Sequence, residues 1–193
     1  MKALAINGSP RKEGNTTAML NAVLDVLKTG GVETEFYQAG GRPVQGCLAC
    51  GKCREGTGKC VTDDWVNELY PKMLEADAII IGSPTYFSDL TAETKALIDR
   101  CGYMARQGGN TLSRKVGAAV TAVRRAGGIH TLDSIHHFFS ISDMIIPGST
   151  YWNMSLSVAR NDFPEKDKEG LSTMTRLGEN ILWLLQMIEK SKQ

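Results

Sequence analysis

The chain is 193 residues long, with 22 Lys and Arg against 21 Asp and Glu, for a net charge of +1. That balance argues against nucleic-acid binding, which calls for a basic excess, and against the strongly charged face by which many electron carriers are steered. Hydrophobic residues at 42% and charged residues at 22% are ordinary for a globular chain. No apolar run approaches the roughly 20 residues that cross a bilayer, and the N-terminus enters a strand pattern without the apolar segment of a signal peptide. The expectation is a single domain over residues 1–193, cytoplasmic, with neither nucleic acid nor membrane as partner.

In chain order, residues 2–6 read as a strand and 15–29 as a helix with Met19, Leu20, Val23 and Leu27 on one face. Gly30 and Gly31 end that helix. Residues 32–38 alternate as a second strand, and a Gly- and Cys-rich loop occupies about 40–62. Residues 63–76 have helical periodicity, which Pro71 is expected to kink or split. A buried strand at 77–82, a helix at 91–106, a strand at 115–123 and a helix at 128–141 follow. The apolar run at 144–147 reads as a short fifth strand, and Leu171, Met174, Leu177, Ile181, Leu185 and Ile188 mark a last amphipathic helix. Strands alternating with helices predict an α/β fold, a parallel sheet covered on both faces. Ligands of such sheets sit at the C-terminal strand ends, where strand order reverses.

The loops at those ends are unusual. After the first strand, Asn7 to Thr17 offers glycines, the hydroxyls of Ser9, Thr16 and Thr17, the fork of Arg11 and the free amides of a helix N-terminus, a set suited to a terminal phosphate. A solvated turn ending in an Asn or Thr helix cap is the plainer alternative. The loop matches neither G-x-x-x-x-G-K-[ST] nor G-x-G-x-x-G, so it supports neither a P-loop nor a dinucleotide Rossmann site. After the third strand, Pro84 fixes the chain, Thr85 and Tyr86 are expected to turn backbone groups outward, and Tyr86 and Phe87 offer aromatic surface or core packing.

The cysteine spacing is C-x2-C-x2-C-x6-C, formed by Cys47, Cys50, Cys53 and Cys60. Four thiolates on one [4Fe–4S] cluster is the natural reading. A zinc site and a loop of free or disulfide-bonded thiols remain open. Asp63 and Asp64 are expected to cap the next helix, and Cys101 reads as a small buried hydrophobe. His130, His136 and His137 have no metal-ligand spacing.

The run Gly8-Ser9-Pro10-Arg11-x-x-Gly14-Asn15-Thr16-Thr17 resembles the phosphate loop of the flavodoxin-like NAD(P)H-dependent FMN reductases. Gly82-Ser83-Pro84-Thr85-Tyr86-Phe87 is similar to their isoalloxazine loop, and Arg124-Arg125-Ala126-Gly127-Gly128 to their third flavin-contacting segment. With the cysteine run, the chain resembles the iron–sulfur flavoproteins. The resemblance implies FMN, a sheet in the order 2-1-3-4-5, and a homodimer or homotetramer. It implies that Ser9, Arg11, Asn15, Thr16 and Thr17 hold the phosphate. Pro84, Thr85, Tyr86 and Phe87 then line the ring, and Arg124, Gly127 and Gly128 approach it from the third segment. Ile129, His130 and Thr131 stand where that family often has an acidic residue.

The expected activity is electron transfer from NAD(P)H or a reduced ferredoxin to a small acceptor such as a quinone, peroxide or oxygen. The alternatives are a cluster-free NAD(P)H:FMN or quinone reductase and a flavodoxin-type carrier. No catalytic side chain is assigned, because the cofactor carries the redox chemistry. Trp152, with Tyr151, is expected after the fifth strand and near the flavin, in its own or a neighbouring subunit.

Overall fold

A computed structural model of the protein describes residues 1–55 and 58–191; Gly56 and Thr57 of the cysteine loop lie outside the described residues. Five parallel strands, β1 (Lys2–Asn7), β2 (Glu33–Gln38), β3 (Ala78–Pro84), β4 (Val116–Val123) and β5 (Met154–Leu156), form one sheet in the order β2-β1-β3-β4-β5. The helices are α1 (Asn15–Thr29), α2 (Trp65–Glu75), α3 (Ala92–Gln107), α4 (Gly128–Ile141) and α5 (Lys168–Lys190). This is the flavodoxin-like fold that the sequence predicts, and strand order reverses between β1 and β3.

The period-two geometry of a strand sorts the core into two layers. Leu4, Ile6, Ile79 and Ile81 pack with Leu69 and Met73 of α2, Leu97 and Met104 of α3, and Ile135 and Phe139 of α4. The intervening Ala3, Ala5, Ala78 and Ala118 pack with Met19, Leu20 and Val23 of α1 and with Leu177 and Ile181 of α5. Alanines on that second face leave room for long side chains such as Met19 and Leu20, both fully buried. Among the described residues, no helix is long and apolar enough to cross a membrane.

Two sequence expectations need correction. The run at 144–147 is not a strand of the sheet: only Ile145 pairs, with Val116, in an isolated bridge. The fifth strand is Met154–Leu156, which pairs with Thr121 to Val123. The β4 edge is therefore shared, its start bonded to Ile145 and its end to β5. Helix α2, in turn, is one uninterrupted element although Pro71 lies inside it. Pro71 is exposed, while Leu69 and Met73, two residues to either side, are fully buried; its ring leaves the Asn67 carbonyl without its helical N–H. Burial of those neighbours outweighs the lost bond.

On α4, burial pushes the His136 imidazole below its ordinary value of 6.5, and its buried Nε2 has no partner among the described residues. A histidine held neutral by the fold contributes stability that is whole above pH 6.5 and declines as pH falls toward the lowered folded value. We expect the thermal midpoint to drop more between pH 6.5 and about 5.5 for the wild type than for His136→Gln. Parallel melting curves at the two pH values check this.

Candidate functional site

The loop from β1 to α1 is built around Asn7, which is fully buried. Its Nδ2 donates to Gln38 Oε1 at 2.7 Å and Thr17 Oγ1 at 3.1 Å, and its Oδ1 accepts from Ser9 N at 3.1 Å. Gln38 Nε2 donates to the carbonyls of Ser9 and Gly40, both at 2.7 Å. The backbone is thus stitched on both sides, while Ser9 Oγ accepts from Arg11 N at 3.2 Å and keeps its own proton to give. Helix α1 begins without a side-chain cap and has no acidic residue in its first turn. Its free amides and dipole face the same space as Ser9, a ready site for an anion.

A cleft of about 380 Å³ opens there, lined from the loop by Ser9, Arg11, Gly14, Asn15 and Thr16, and from β3 and β4 by Pro84, Thr85, Tyr86 and Arg124. Its far wall is Ser157, Val158, Ala159 and Arg160, directly after β5. Three arginines and no carboxylate line it. Asn15 spans the two walls: its Nδ2 donates to Ala159 O at 3.1 Å and its Oδ1 accepts from Phe163 N at 3.1 Å. The segment 157–160 was not anticipated from sequence. The rule that ligands lie past strand ends would have found it, had β5 been placed at 154–156 rather than 144–147.

Several expected residues stand elsewhere. Thr17 Oγ1 donates to Lys12 O at 2.8 Å and accepts from Asn7, so it braces the loop from inside. The amides of Thr85 and Tyr86 do not point outward: they donate to Ala122 O at 2.9 Å and Asp89 O at 2.7 Å. The Thr85 hydroxyl sits 2.9 Å from that of Thr131 and 3.2 Å from that of Thr121, which fixes the loop between β4 and α4. Phe87 and Ser88 form a turn with left-handed φ of 49° and 65°, and Phe87 is wholly exposed, outside the cleft lining. Gly127, with φ 87°, lets the third segment close on that turn, because a Cβ there would lie 2.7 Å from Ser88 Cα. Gly128 packs on Val123 and Met154. Tyr151 and Trp152 precede β5 rather than follow it, and stand edge-to-face with ring centroids 4.6 Å apart. Neither lines the cleft of this chain.

The cysteine loop folds over α3, where Arg54 donates to the Tyr103 hydroxyl. Cys47, Cys50, Cys53 and Cys60 line one hollow together with Arg100, Tyr103 and Met104. A metal needs its donors drawn together, and among the described residues no three metal-ligating side chains stand that close. The four cysteines nevertheless line one hollow, with no carboxylate or imidazole among its described lining, a soft donor set that suits iron–sulfur or zinc chemistry. Asp64 caps α2 as expected, its side chain accepting from Val66 N. Burial alone would raise its carboxyl, but the Arg100 guanidinium and the Val66 amide hold it below the usual carboxylate range. Burial pushes the Cys101 thiol up to about 12, which leaves it an inert apolar filler rather than a ligand.

The model of the NADPH-dependent FMN reductase family matches residues 1–158. An iron–sulfur flavoprotein of Methanocaldococcus jannaschii is 38% identical, the match covering 98% of this chain and all of that one. An iron–sulfur flavoprotein of Methanosarcina thermophila is 35% identical over 100% of this chain and 99% of its own. Among solved structures, RosB with bound 8-demethyl-8-formylriboflavin-5'-phosphate has a TM-score of 0.82 at 16% identity, covering 100% of this chain and 82% of that one. A flavodoxin from the domain Archaea has a TM-score of 0.63 at 19% identity, covering both chains fully. The chain belongs to the NADPH-dependent FMN reductase family of flavoprotein oxidoreductases, and its sequence relatives there are iron–sulfur flavoproteins.

Proposed function

We propose that the protein takes electrons from NAD(P)H or a reduced ferredoxin and passes them to a small acceptor such as a quinone, peroxide or oxygen, using FMN and a [4Fe–4S] cluster. The observation that carries the reading is the cleft at the strand ends, whose lining holds three arginines and no carboxylate. Such a lining is complementary to a phosphate dianion. Ser9, Arg11, Asn15 and Thr16 are assigned to the phosphate and Pro84, Thr85, Tyr86 and Arg124 to the ring. Bound flavin supplies the two-electron redox chemistry. Ser9 donates from its free hydroxyl proton, and the first-turn amides of α1 donate alongside it. Arg124 brings positive charge to the ring side of the cleft, which favours an anionic reduced ring. Thr85, locked to Thr121 and Thr131, holds the wall rigid while a substrate enters.

Cys47, Cys50, Cys53 and Cys60 are assigned to the cluster. Their shared hollow and the names of the relatives support this assignment. The exposed Phe87, Tyr151 and Trp152, none of them in the cleft lining, are assigned to contact with a second copy in a homodimer or homotetramer, since large exposed aromatics mark interaction surface.

The test is anaerobic purification followed by an absorption spectrum, with flavin, iron and sulfide assayed on one sample and NADPH oxidation measured. The expected result is stoichiometric FMN, about four irons per chain and NADPH-dependent reduction of quinone, peroxide or oxygen. Flavin without iron would replace the cluster reading with a cluster-free FMN or quinone reductase. Loaded protein that neither NADPH nor ferredoxin reduces would overturn the catalytic reading.

A further inference from the structure

We propose that Arg100 is the positioning residue of the cysteine site, a buried guanidinium that ties the two ends of the loop together and keeps its Nε–H for a sulfur held there. The proposal rests on the assignment of Cys47, Cys50, Cys53 and Cys60 as cluster ligands.

Arg100 projects from the middle of α3, is 1% exposed and heads the largest fully buried side chains of the protein. Charged groups are almost never buried so completely unless partners satisfy them. Its Nη1 donates to Gln45 O at 3.1 Å and to Asp64 Oδ2 at 2.5 Å, and its Nη2 donates to Thr62 O at 2.9 Å. Gln45 lies two residues before Cys47, and Thr62 two residues after Cys60. One guanidinium therefore grips the cysteine segment at both ends and fastens it to α3, while Asp64 fastens the same group to the start of α2.

The remaining nitrogen is the informative one. Arg100 Nε is buried and has no partner among the described residues. A buried donor left unpaired is costly and calls for a partner. Arg100 lines the cysteine hollow together with Cys60 and the other three cysteines. Because Asp64 already balances the charge of Arg100, the pair contributes a directed donor rather than a net charge. Thiolate and sulfide sulfurs accept such bonds, which raise the reduction potential of an iron–sulfur centre. A lysine cannot substitute: it offers three donors from a single point and cannot span Gln45, Thr62, Asp64 and a sulfur at once.

The experiment uses reconstituted wild type, Arg100→Lys, and the double variant Arg100→Met with Asp64→Leu. The double variant removes the guanidinium together with the carboxylate that balances it, a change that folds commonly tolerate; because Asp64 also caps α2, Arg100→Lys, which keeps the cap, is read beside it. FMN content reports folding, iron loss to a chelator reports retention, and a redox titration of the cluster reports the donor. We expect both variants to bind FMN as the wild type does, to lose iron about tenfold faster, and to titrate at a more negative potential. An unchanged cluster potential in the variants would overturn the proposal whatever the rate of iron loss, since a looser loop alone would speed loss. Failure of both variants to bind FMN would also overturn it, by assigning Arg100 to the fold. A wild type that takes up no iron would instead overturn the cluster assignment itself.

Discussion

Gly40→Ala is expected to weaken FMN binding by roughly several hundredfold and to lower the thermal midpoint by about 8–16 °C. Gly40 follows β2 and lies against the phosphate loop. Its N–H donates to Asn7 O at 2.9 Å, and its carbonyl accepts from Gln38 Nε2 at 2.7 Å. A Cβ at this position would stand 2.3 Å from the carbonyl carbon and oxygen of Ser9 and 2.4 Å from the carbonyl oxygen of Gly8. These are backbone atoms, so no rotamer change relieves the clash. Either residues 8–11 or residues 39–41 must move, and both are held by the bonds of Asn7 and Gln38. Overpacking of this kind costs about 1–3 kcal/mol or more, and each buried hydrogen bond that breaks adds about 1–3 kcal/mol. For a chain of this size, a total of about 4 kcal/mol lowers the midpoint by about 8–16 °C. The displaced loop carries Ser9 and Arg11 with it, and if restoring it costs the same energy, FMN affinity falls by roughly 700-fold. Gly148→Ala is the control, because a Cβ there meets nothing within 4 Å. Melting curves and flavin fluorescence titrations of the two variants decide the matter. A Gly40→Ala protein that binds FMN normally would show the loop to be far more yielding than its hydrogen bonds imply.

The second large effect concerns charge. Arg11→Ala is expected to weaken FMN by about 2 kcal/mol, roughly 30-fold, the value of a charge-assisted hydrogen bond to phosphate. Riboflavin, which lacks the phosphate, should bind wild type and variant alike. The side chain of Arg11 is exposed and lines the cleft, and its removal leaves the Asn7 network intact. The variant should also show a weaker dependence of FMN affinity on salt. Arg160→Ala provides the mirror test from the opposite wall. Loss of FMN but not riboflavin affinity would place the phosphate between the two arginines. Equal loss of both would move Arg160 to the ring.

Much of this site was legible before the fold was known. The loop that lines the cleft announced itself because glycines, hydroxyls and Arg11 gather directly before a helix, and helices at 15–29 and 128–141 were bounded by their own periodicity and flanking glycines. The misplaced fifth strand has a physical cause. Met144 to Pro147 is the more apolar run and does touch β4 at Val116, whereas Met154–Leu156 is three residues long, too short to display a period. That error concealed Ser157 to Arg160, a third of the cleft's arginine charge. The roles of Thr17, Thr85 and Phe87 were illegible for another reason. A hydroxyl serves a ligand or its own backbone equally well by composition. The Phe87–Ser88 turn, in its turn, holds left-handed backbone without the Gly or Asn that usually marks one. Arg100 could not be foreseen at all, since one arginine in an amphipathic helix ordinarily faces water.

The short fifth strand also bears on how the protein keeps apart from its own copies in a crowded cell. An open sheet has two rims, and a long unpaired rim is a template on which another chain can add strands and nucleate fibrils. On one side, β5 offers a rim of only three residues, and Ile145 takes up the start of β4. On the other side, β2 begins Glu33-Thr34-Glu35, with Lys2 Nζ 3.2 Å and Lys72 Nζ 2.6 Å from the Glu35 carboxylate. A strand arriving there would have to strip water from charges of both signs. Both rims are thus poor templates, and self-association is left to the side-chain surfaces of the loops and helices rather than to backbone ladders.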